Sequence, residues 1–219
     1  MISMNDSKSY PDIALLDGDI LAYRAAHWGD SEGIDDLEDR LRYDIKSWTP
    51  PDIKKVVLCF SCPRSRNFRR NFWPEYKAHR DKLHAPDCFT YTLEILYNHS
   101  SIKCIDKLEA DDLMGMGASL NKAVAVTIDK DLKSVPGWHW NPFKEDYPQY
   151  ITEEEADRFF YHQWMSGDHT DNIPGLWKVG PKKAEKFLDS VDRKDWDKEI
   201  LQLYEDECRP EHKEVGMQP

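Results

Sequence analysis

Short apolar runs alternate with amphipathic stretches along the first two thirds of the chain. Four runs have the length and apolar character of buried strands: residues 13–16, 56–60, 102–105 and 123–128. Between them, apolar side chains recur every three or four residues, which predicts helices at about residues 20–28, 34–48 and 89–97. Strands and helices that alternate in this way favour βαβ units. We therefore expect an α/β fold with a mostly parallel sheet flanked by helices.

The last third of the chain shows helix signals and tight turns. Thr152 is followed three residues later by Glu155, a capping box that predicts a helix reaching about Met165. Glycines and prolines between residues 167 and 181 predict a tight connection, followed by helices at about 182–188 and 193–204. We expect an α/β domain over residues 1–150, a helical subdomain over 151–210 and a tail at 211–219.

The composition indicates a folded protein with a well-solvated surface. Of the 219 residues, 40% are hydrophobic and 32% are charged, with a net charge of -11. No apolar run reaches the roughly 20 residues of a membrane span, and the amino terminus lacks the order of a signal peptide. We therefore expect a cytoplasmic protein without a membrane partner.

The five cysteines are scattered, which argues against a disulfide framework. Cys59 and Cys62 have CxxC spacing, but the chain offers no second pair for a structural zinc site. We expect reduced thiols at a strand end.

Four acidic clusters follow apolar runs or begin helices: Asp17 with Asp19, residues 109–112, Asp129 with Asp131, and Asp168 with Asp171. The carboxyl ends of parallel strands converge on one crevice, so these side chains are expected to meet. Two like charges about 4 Å apart repel by roughly 4 kcal/mol at an effective dielectric near 20. Such a crevice needs cations, and Mg²⁺ or Mn²⁺ suit oxygen ligands. Taken singly, each cluster could equally be a solvated helix start or a turn.

Basic residues concentrate in one segment. Between residues 64 and 82, seven arginines and lysines stand against two acids. A local excess of this kind attracts phosphates, even though the whole chain is acidic.

The connection from Gly167 to Ala184 joins paired acids to glycine-rich turns and lysines. A helix amino terminus with free amides beside lysines binds phosphate. A P-loop is the rival interpretation, since four residues separate Gly175 from Gly180. We reject it because Pro181 precedes Lys182 and the segment follows a helix rather than a strand.

In this order the motifs resemble the structure-specific 5′ nucleases, which include bacteriophage 5′-3′ exonucleases, flap endonucleases and the 5′ nuclease domain of bacterial DNA polymerase I. The resemblance extends to about Leu188. It rests on Asp17 after the first strand, Asn67-Phe68-Arg69-Arg70, Tyr76-Lys77-Ala78-His79-Arg80, Glu109-Ala110-Asp111-Asp112, Asp129-Lys130-Asp131-Leu132, and residues 167–175. It implies a PIN-like sheet, a helical gateway inserted over residues 63–100, and a helix-three-turn-helix within the carboxy-terminal helical subdomain.

The same resemblance implies a site with two metal ions, Mg²⁺ or Mn²⁺. The first ion would be served by Asp17, Glu109, Asp111 and Asp112, and the second by Asp129, Asp131, Asp168 and Asp171. Lys77 and Arg80 resemble gateway residues that draw the scissile phosphate onto the metals, and Tyr76 could stack on a terminal base or pack between helices. The residues implied in DNA binding are Arg69, Arg70, Gly175, Lys178, Gly180, Lys182 and Lys183, with K⁺ as a further candidate ligand of the hairpin.

Three departures from the family pattern affect these expectations. Ser61 follows Phe60 where many relatives have a metal-binding aspartate, so the first site could be short of a carboxylate unless Asp19 replaces it. Lys178 occupies a position usually taken by glycine, which bears on the K⁺ site. The chain ends at residue 219, which leads us to expect fewer carboxy-terminal DNA contacts.

We therefore expect a metal-dependent 5′-3′ exonuclease that acts at DNA 5′ ends, flaps and nicks, with removal of RNA primers from RNA–DNA hybrids as a further activity. A monomer that works with replication proteins, in the host cytoplasm if the source is a phage, fits this expectation. The alternative is a structure-specific DNA-binding protein with weak or lost catalysis. A PIN-like ribonuclease is a third hypothesis, against which the hairpin at Gly175 argues.

Overall fold

A computed structural model describes residues 10–208 of the chain, so the expected tail at 211–219 lies outside the described residues. The described part contains one sheet with the strand order β3-β2-β1-β4-β5-β6. Its strands are β1 Ile13–Asp17, β2 Lys55–Phe60, β3 Ile102–Cys104, β4 Val124–Val126, β5 Gly137–Trp140 and β6 Gln149–Ile151. Neighbouring strands are parallel except for β5 and β6, which are antiparallel. The expectation of a mostly parallel sheet in an α/β fold is confirmed.

Helices cover both faces of the sheet and continue beyond it. They are α1 Gly18–Glu32, α2 Leu37–Ser47, α3 Arg69–Phe72, α4 Phe89–His99, α5 Ala110–Ser119, α6 Glu153–Ser166, α7 Pro181–Ser190 and α8 Trp196–Glu207. Short 3₁₀ turns lie at Arg64–Arg66, Ala78–Lys82, Asp131–Ser134 and Arg193–Asp195. Within residues 10–208, no helix is long and apolar enough to cross a membrane.

The central strands are buried on both faces, which explains their continuous apolar sequences. Leu16 of β1 pairs with Leu58 of β2 and Val126 of β4, and all three side chains are fully buried. This face packs against α1, α2 and α4, while the opposite face packs against α5. Leu96 of α4 belongs to this core, and Phe89, Leu93 and Ile95 pack against it, so this part of the expected gateway segment contributes to the core.

A separate apolar cluster holds the carboxy-terminal helices together. It contains Met165 of α6, Leu176 of the connection, Ala184 and Leu188 of α7, and Trp196 and Ile200 of α8. The predicted capping box is present, because Thr152 N–H donates to Glu155 Oε2 at 2.8 Å and Glu155 N–H donates to Thr152 Oγ1 at 3.2 Å.

The sequence pattern differs from the structure mainly at the ends of elements. Helix α2 begins at Leu37 and leaves Ile34 exposed, while β3 and β4 end before Ile105 and Thr127. Strands β5 and β6 were not predicted, because their residues form no apolar run and they pair at an edge of the sheet. Strand β1 ends at Asp17 as predicted, whereas β4 ends at Val126, so that residues 127 and 128 lie between the strand and Asp129.

Candidate active site

Asp17 lies at the carboxyl end of the central strand and is almost completely buried. Its Oδ1 accepts the N–H of Ile20 at 3.0 Å, which caps α1, and its Oδ2 accepts the Thr127 hydroxyl at 2.9 Å. Helix α1 can start here because residue 18 is glycine: a Cβ atom would lie 2.7 Å from the Cys59 carbonyl oxygen. Burial, followed by repulsion from Asp19 and Asp129, raises the pKa of Asp17 to about 7.

Asp111 enters the same crevice from the first turn of α5. Burial, followed by the charges of Asp17 and Asp129, raises the pKa of Asp111 well above its usual value. Among the residues that the structure describes, no donor forms a hydrogen bond with this carboxylate. Asp111 is therefore a partly buried carboxylate without a hydrogen-bonded partner among the described residues, and a bound cation would offset the cost of its charge.

Ser61, where the family resemblance implies a carboxylate, forms two hydrogen bonds at the crevice. Its N–H donates to Asp19 Oδ2 at 3.1 Å, and its Oγ accepts the N–H of Ala110 at 3.0 Å, at the start of α5. Asp19 thus turns toward the crevice instead of capping α1, the role that Asp17 performs. Burial raises the pKa of Asp19, with a smaller contribution from Glu109.

Asp131 and Asp168 form a second group of carboxylates around Gln163. The Gln163 amide nitrogen Nε2 lies 2.7 Å from Asp131 Oδ1 and 3.2 Å from Asp168 Oδ2. Burial, then repulsion from Asp129 and Asp168, raises the pKa of Asp131 to about 6. Burial acts against ionisation of Asp168 too, but hydrogen bonds from the Thr170 N–H and from Asp131 leave the pKa of Asp168 lowered. The shifts differ in sign because the two carboxyl groups compete for one proton, which Asp131 holds more tightly.

Tyr76 and Lys77 form a strap across two of the predicted metal ligands. The Tyr76 hydroxyl lies 2.7 Å from Glu109 Oε2 and 3.0 Å from Asp171 Oδ2. Lys77 Nζ lies 3.1 Å from Glu109 Oε1 and 3.5 Å from Asp171 Oδ1. The turn needs a left-handed backbone at Lys77, with φ of 52°. The Tyr76 side chain is only 4% exposed, so the stacking role expected for its ring does not fit this position, and its hydroxyl faces the site instead.

Arg80 lies at the edge of the same group, with its guanidinium 3.5 Å from Asp171 Oδ1 and 3.1 Å from the Thr170 carbonyl oxygen. Arg64, Arg66, Lys77 and Arg80 line a cleft of about 850 Å³ that opens onto Asp17, Asp19, Asp111 and Asp129. The basic segment and the acidic crevice therefore face each other, as expected for a site that receives a phosphate.

Three of the predicted site residues are engaged elsewhere. Asp112 forms two hydrogen bonds with Arg69, at 2.9 and 2.7 Å, and accepts the N–H of Glu109 at 2.8 Å. Glu109 is the N-cap residue of α5, and the contact of Asp112 with Arg69 braces the start of this helix against α3. Arg70 pairs with Asp81 at 2.8 Å. Arg69 and Arg70 thus both pair with carboxylates in this structure.

The predicted hairpin follows α6. Gly167 has φ of 75°. A Cβ atom on Gly175 would lie 2.4 Å from the Gly167 nitrogen, so the two backbone segments contact each other at this pair of glycines. Lys178 adopts the left-handed conformation that its glycine-like position requires, with φ of 56°. Lys183 Nζ donates to the Lys178 carbonyl oxygen at 2.8 Å. Gly180 is the N-cap residue of α7.

The described cysteines are free, as the sequence predicted. Burial, followed by the charges of Asp17 and Asp19, raises the pKa of Cys59 to about 12. This thiol is therefore unsuited to act as a nucleophile at neutral pH.

The carboxylates fit divalent cations by their chemistry. All the donors are hard oxygen atoms, and burial and repulsion disfavour the charges of Asp17 and Asp111, a cost that a cation would offset. Within residues 10–208, no three aspartate, glutamate, histidine or cysteine side chains are arranged so that they could hold an ion as they stand. Lys77 and Tyr76 occupy oxygens of Glu109 and Asp171, so these side chains would have to turn before they bind an ion.

The chain is similar to exonucleases of two bacteriophages. It is 31% identical to the exonuclease of Escherichia phage T7 over 208 residues, which cover 81% of this chain and 67% of the relative. It is 32% identical to the exodeoxyribonuclease of Enterobacteria phage T3 over 206 residues, which cover 80% of this chain and 66% of the relative. The chain thus spans about two thirds of the length of these relatives. No family model matches it.

The fold is similar to that of a solved bacteriophage T5 flap endonuclease, a protein crystallised in a complex with DNA and metal ions. The TM-score is 0.58 and the sequence identity 17%, and the match covers 81% of this chain and 74% of the other. At this identity the match shows the fold alone, an α/β architecture with a mostly parallel sheet and flanking helices.

Proposed function

Because the chain belongs to the family of 5′-3′ exonucleases and flap endonucleases, we propose that it hydrolyses phosphodiester bonds at or near DNA 5′ ends with the help of two divalent cations. The observation that carries the proposal is the crevice at the ends of β1 and β4. There Asp17, Asp111 and Asp129 repel one another beneath a rim of basic side chains. The substrates we propose are 5′ ends, flaps and nicks, with RNA–DNA hybrids as a further class.

The proposed ligands fall into two groups. Asp17, Glu109 and Asp111 would hold the first ion, with Asp19 as the carboxylate that offsets Ser61. Asp129, Asp131, Asp168 and Asp171 would hold the second. When bound, two Mg²⁺ or Mn²⁺ ions would activate water and stabilise the charge of the leaving oxygen. Asp112 supports the position of Glu109 through α5 rather than binding an ion itself.

Lys77 and Arg80 are the proposed contacts with the scissile phosphate. Both already lie at the crevice, and both bind carboxylates that a cation would neutralise. If those carboxylates held cations, the two cationic side chains would be available to the oxygens of the scissile phosphate, where they would offset developing charge. The Tyr76 hydroxyl would orient Glu109 and Asp171 rather than stack on a base.

The hairpin is the proposed grip on duplex backbone, with Gly175 shaping it and Gly180 and Lys182 facing phosphates. The Lys183 ammonium already binds the Lys178 carbonyl oxygen. This contact supports a hairpin in which the Lys183 ammonium, rather than K⁺, provides the positive charge beside the Lys178 carbonyl oxygen. The proposed organisation is a PIN-like domain over residues 1–150, a gateway within 63–100 and a helix-three-turn-helix within 151–210.

A structure-specific DNA-binding protein with weak catalysis is the second candidate. The observation in its favour is Ser61, whose two hydrogen bonds occupy the place of a carboxylate without adding a charge. In that case metal ions would bind weakly at the first group, and DNA binding would survive the loss of its acids.

Cleavage of 5′-labelled flapped, nicked and blunt duplexes tests both candidates. The proposal expects short labelled products with Mg²⁺ or Mn²⁺, no products with chelator, and a steep loss in Asp111→Asn. The matched control is Asp197→Asn, an exposed first-turn aspartate of α8, which should cleave as the wild type does. Tight binding of flaps without products under any metal condition would favour the second candidate instead.

A further inference from the structure

Gln163 lies in the last turn of α6, at the junction between the helix and the acidic loop that follows. Its backbone carbonyl oxygen accepts the N–H of Gly167 at 2.8 Å, which closes the helix. The left-handed Gly167 then turns the chain so that Asp168 comes back toward the Gln163 side chain. Nothing in the sequence pattern distinguishes this glutamine from other polar helix residues.

The Gln163 amide joins two carboxylates from separate parts of the chain. Asp131 begins the 3₁₀ turn after β4, whereas Asp168 belongs to the loop after α6. Nε2 lies 2.7 Å from Asp131 Oδ1 and 3.2 Å from Asp168 Oδ2. Because an amide nitrogen carries two hydrogens, it can donate one to each carboxylate. In the described part of the chain, no other donor side chain bonds both.

The chemistry of this contact differs from that at the neighbouring carboxylates. Glu109 and Asp171 are held by the Lys77 ammonium, and Asp112 is held by the Arg69 guanidinium. Asp131 and Asp168 are instead joined by a neutral group, which orients their oxygens without adding a positive charge. Lys130 Nζ lies 3.9 Å from Asp131 Oδ1, on a largely exposed side chain. A cation would therefore meet two aligned carboxylates, and no cationic side chain among the described residues is bonded to both.

We propose that Gln163 is a positioning residue of the second metal group: it aligns Asp131 and Asp168 for a divalent cation without competing with that cation. The inference rests on the proposed two-metal function and adds a residue to it. Partners that orient metal ligands in this way commonly contribute about 10- to 100-fold to metal affinity or activity.

Mn²⁺ binding by the full protein without DNA, followed through the electron paramagnetic resonance signal of the free ion, tests the proposal. Gln163→Met keeps the length of the side chain but removes both donors, and we expect its weaker Mn²⁺ site to lose about tenfold in affinity. The matched control is Gln202→Met, because Gln202 also donates to one aspartate, Asp206, on exposed α8. It should bind Mn²⁺ as the wild type does.

Gln163→Lys distinguishes a neutral residue that positions metal ligands from a residue that only stabilises the fold by joining the two carboxylates. A lysine can still donate to both carboxylates and should unfold at the wild-type temperature or higher in chelator. It should nevertheless weaken Mn²⁺ binding at least tenfold, because its charge competes with the ion. Wild-type Mn²⁺ affinity in either Gln163 variant would overturn the positioning role while the proposed nuclease function stands. A wild-type protein that binds no Mn²⁺ and cleaves no DNA would overturn both.

Discussion

Asp17→Asn is expected to stabilise the metal-free protein at pH 8 while it abolishes cleavage. Asp17 has its pKa raised from 3.8 to about 7 by burial and by its acidic neighbours. Roughly three pKa units at about 1.4 kcal/mol each give a cost of about 4 kcal/mol for the folded carboxylate. Asparagine avoids this cost and can still accept the N–H of Ile20. It gives up accepting the Thr127 hydroxyl, worth about 1 kcal/mol, so a net gain of about 1 to 3 kcal/mol remains.

The sign of the pH dependence follows from the raised pKa. The raised pKa of Asp17 does not lower the free energy of unfolding below about pH 4, because the carboxyl group is then protonated in both the folded and the unfolded state. The cost then grows as pH rises and is complete above pH 7. The advantage of Asp17→Asn should therefore be small at pH 4 and full at pH 8.

Urea unfolding in chelator at these two pH values measures the effect. The matched control is Asp44→Asn, at a second buried aspartate whose carboxylate binds Arg40 at 2.9 Å. This change should cost about 1 to 3 kcal/mol, because it removes a bond between charged groups. An Asp17→Asn protein that is less stable than the wild type at pH 8, or equally changed at both pH values, would refute the reasoning.

Three further predictions concern the strap and the hairpin. Lys77→Met should lower the single-turnover cleavage rate by about 10²-fold, and an unchanged rate would exclude a contact with the phosphate. Lys182→Ala should weaken DNA binding and reduce the slope of log K against log salt by about 1. Lys183→Ala, whose ammonium already binds a carbonyl, should change that slope less, and the opposite order would mean that the hairpin faces DNA differently. Gly175→Ala should lower the free energy of unfolding, measured with urea, by about 1 to 3 kcal/mol, because the new Cβ atom would collide with the Gly167 backbone. Gly180→Ala is the control, since its Cβ atom would meet open space. Equal losses of stability in the two variants would contradict this packing.

Hydrophobic patterns and capping motifs predicted the elements whose conformation depends mainly on neighbouring residues. The apolar run before Asp17 requires a buried central strand, and a buried strand end fixes where its carboxylate emerges. Thr152 with Glu155 forms a capping box that needs no tertiary contact, and it is present as predicted.

Contacts between segments that are distant along the chain could not be predicted from the sequence. The burial of Tyr76 depends on Glu109 and Asp171, which lie 33 and 95 residues away. Gln163 resembles any polar helix residue until the turn at Gly167 brings Asp168 back to it. The pairing of Asp112 with Arg69 likewise requires α3 and α5 to meet, because the two residues lie 43 positions apart in the sequence.

The acidic crevice is proposed to hold two metal ions. Diffraction from crystals grown with Mn²⁺, measured at the manganese absorption edge, tests this proposal. We expect two anomalous peaks, one beside Asp17 and Asp111 and one beside Asp131 and Asp168. Diffraction at saturating Mn²⁺ with no peak at these carboxylates, or with ions bound only elsewhere on the surface, would contradict it.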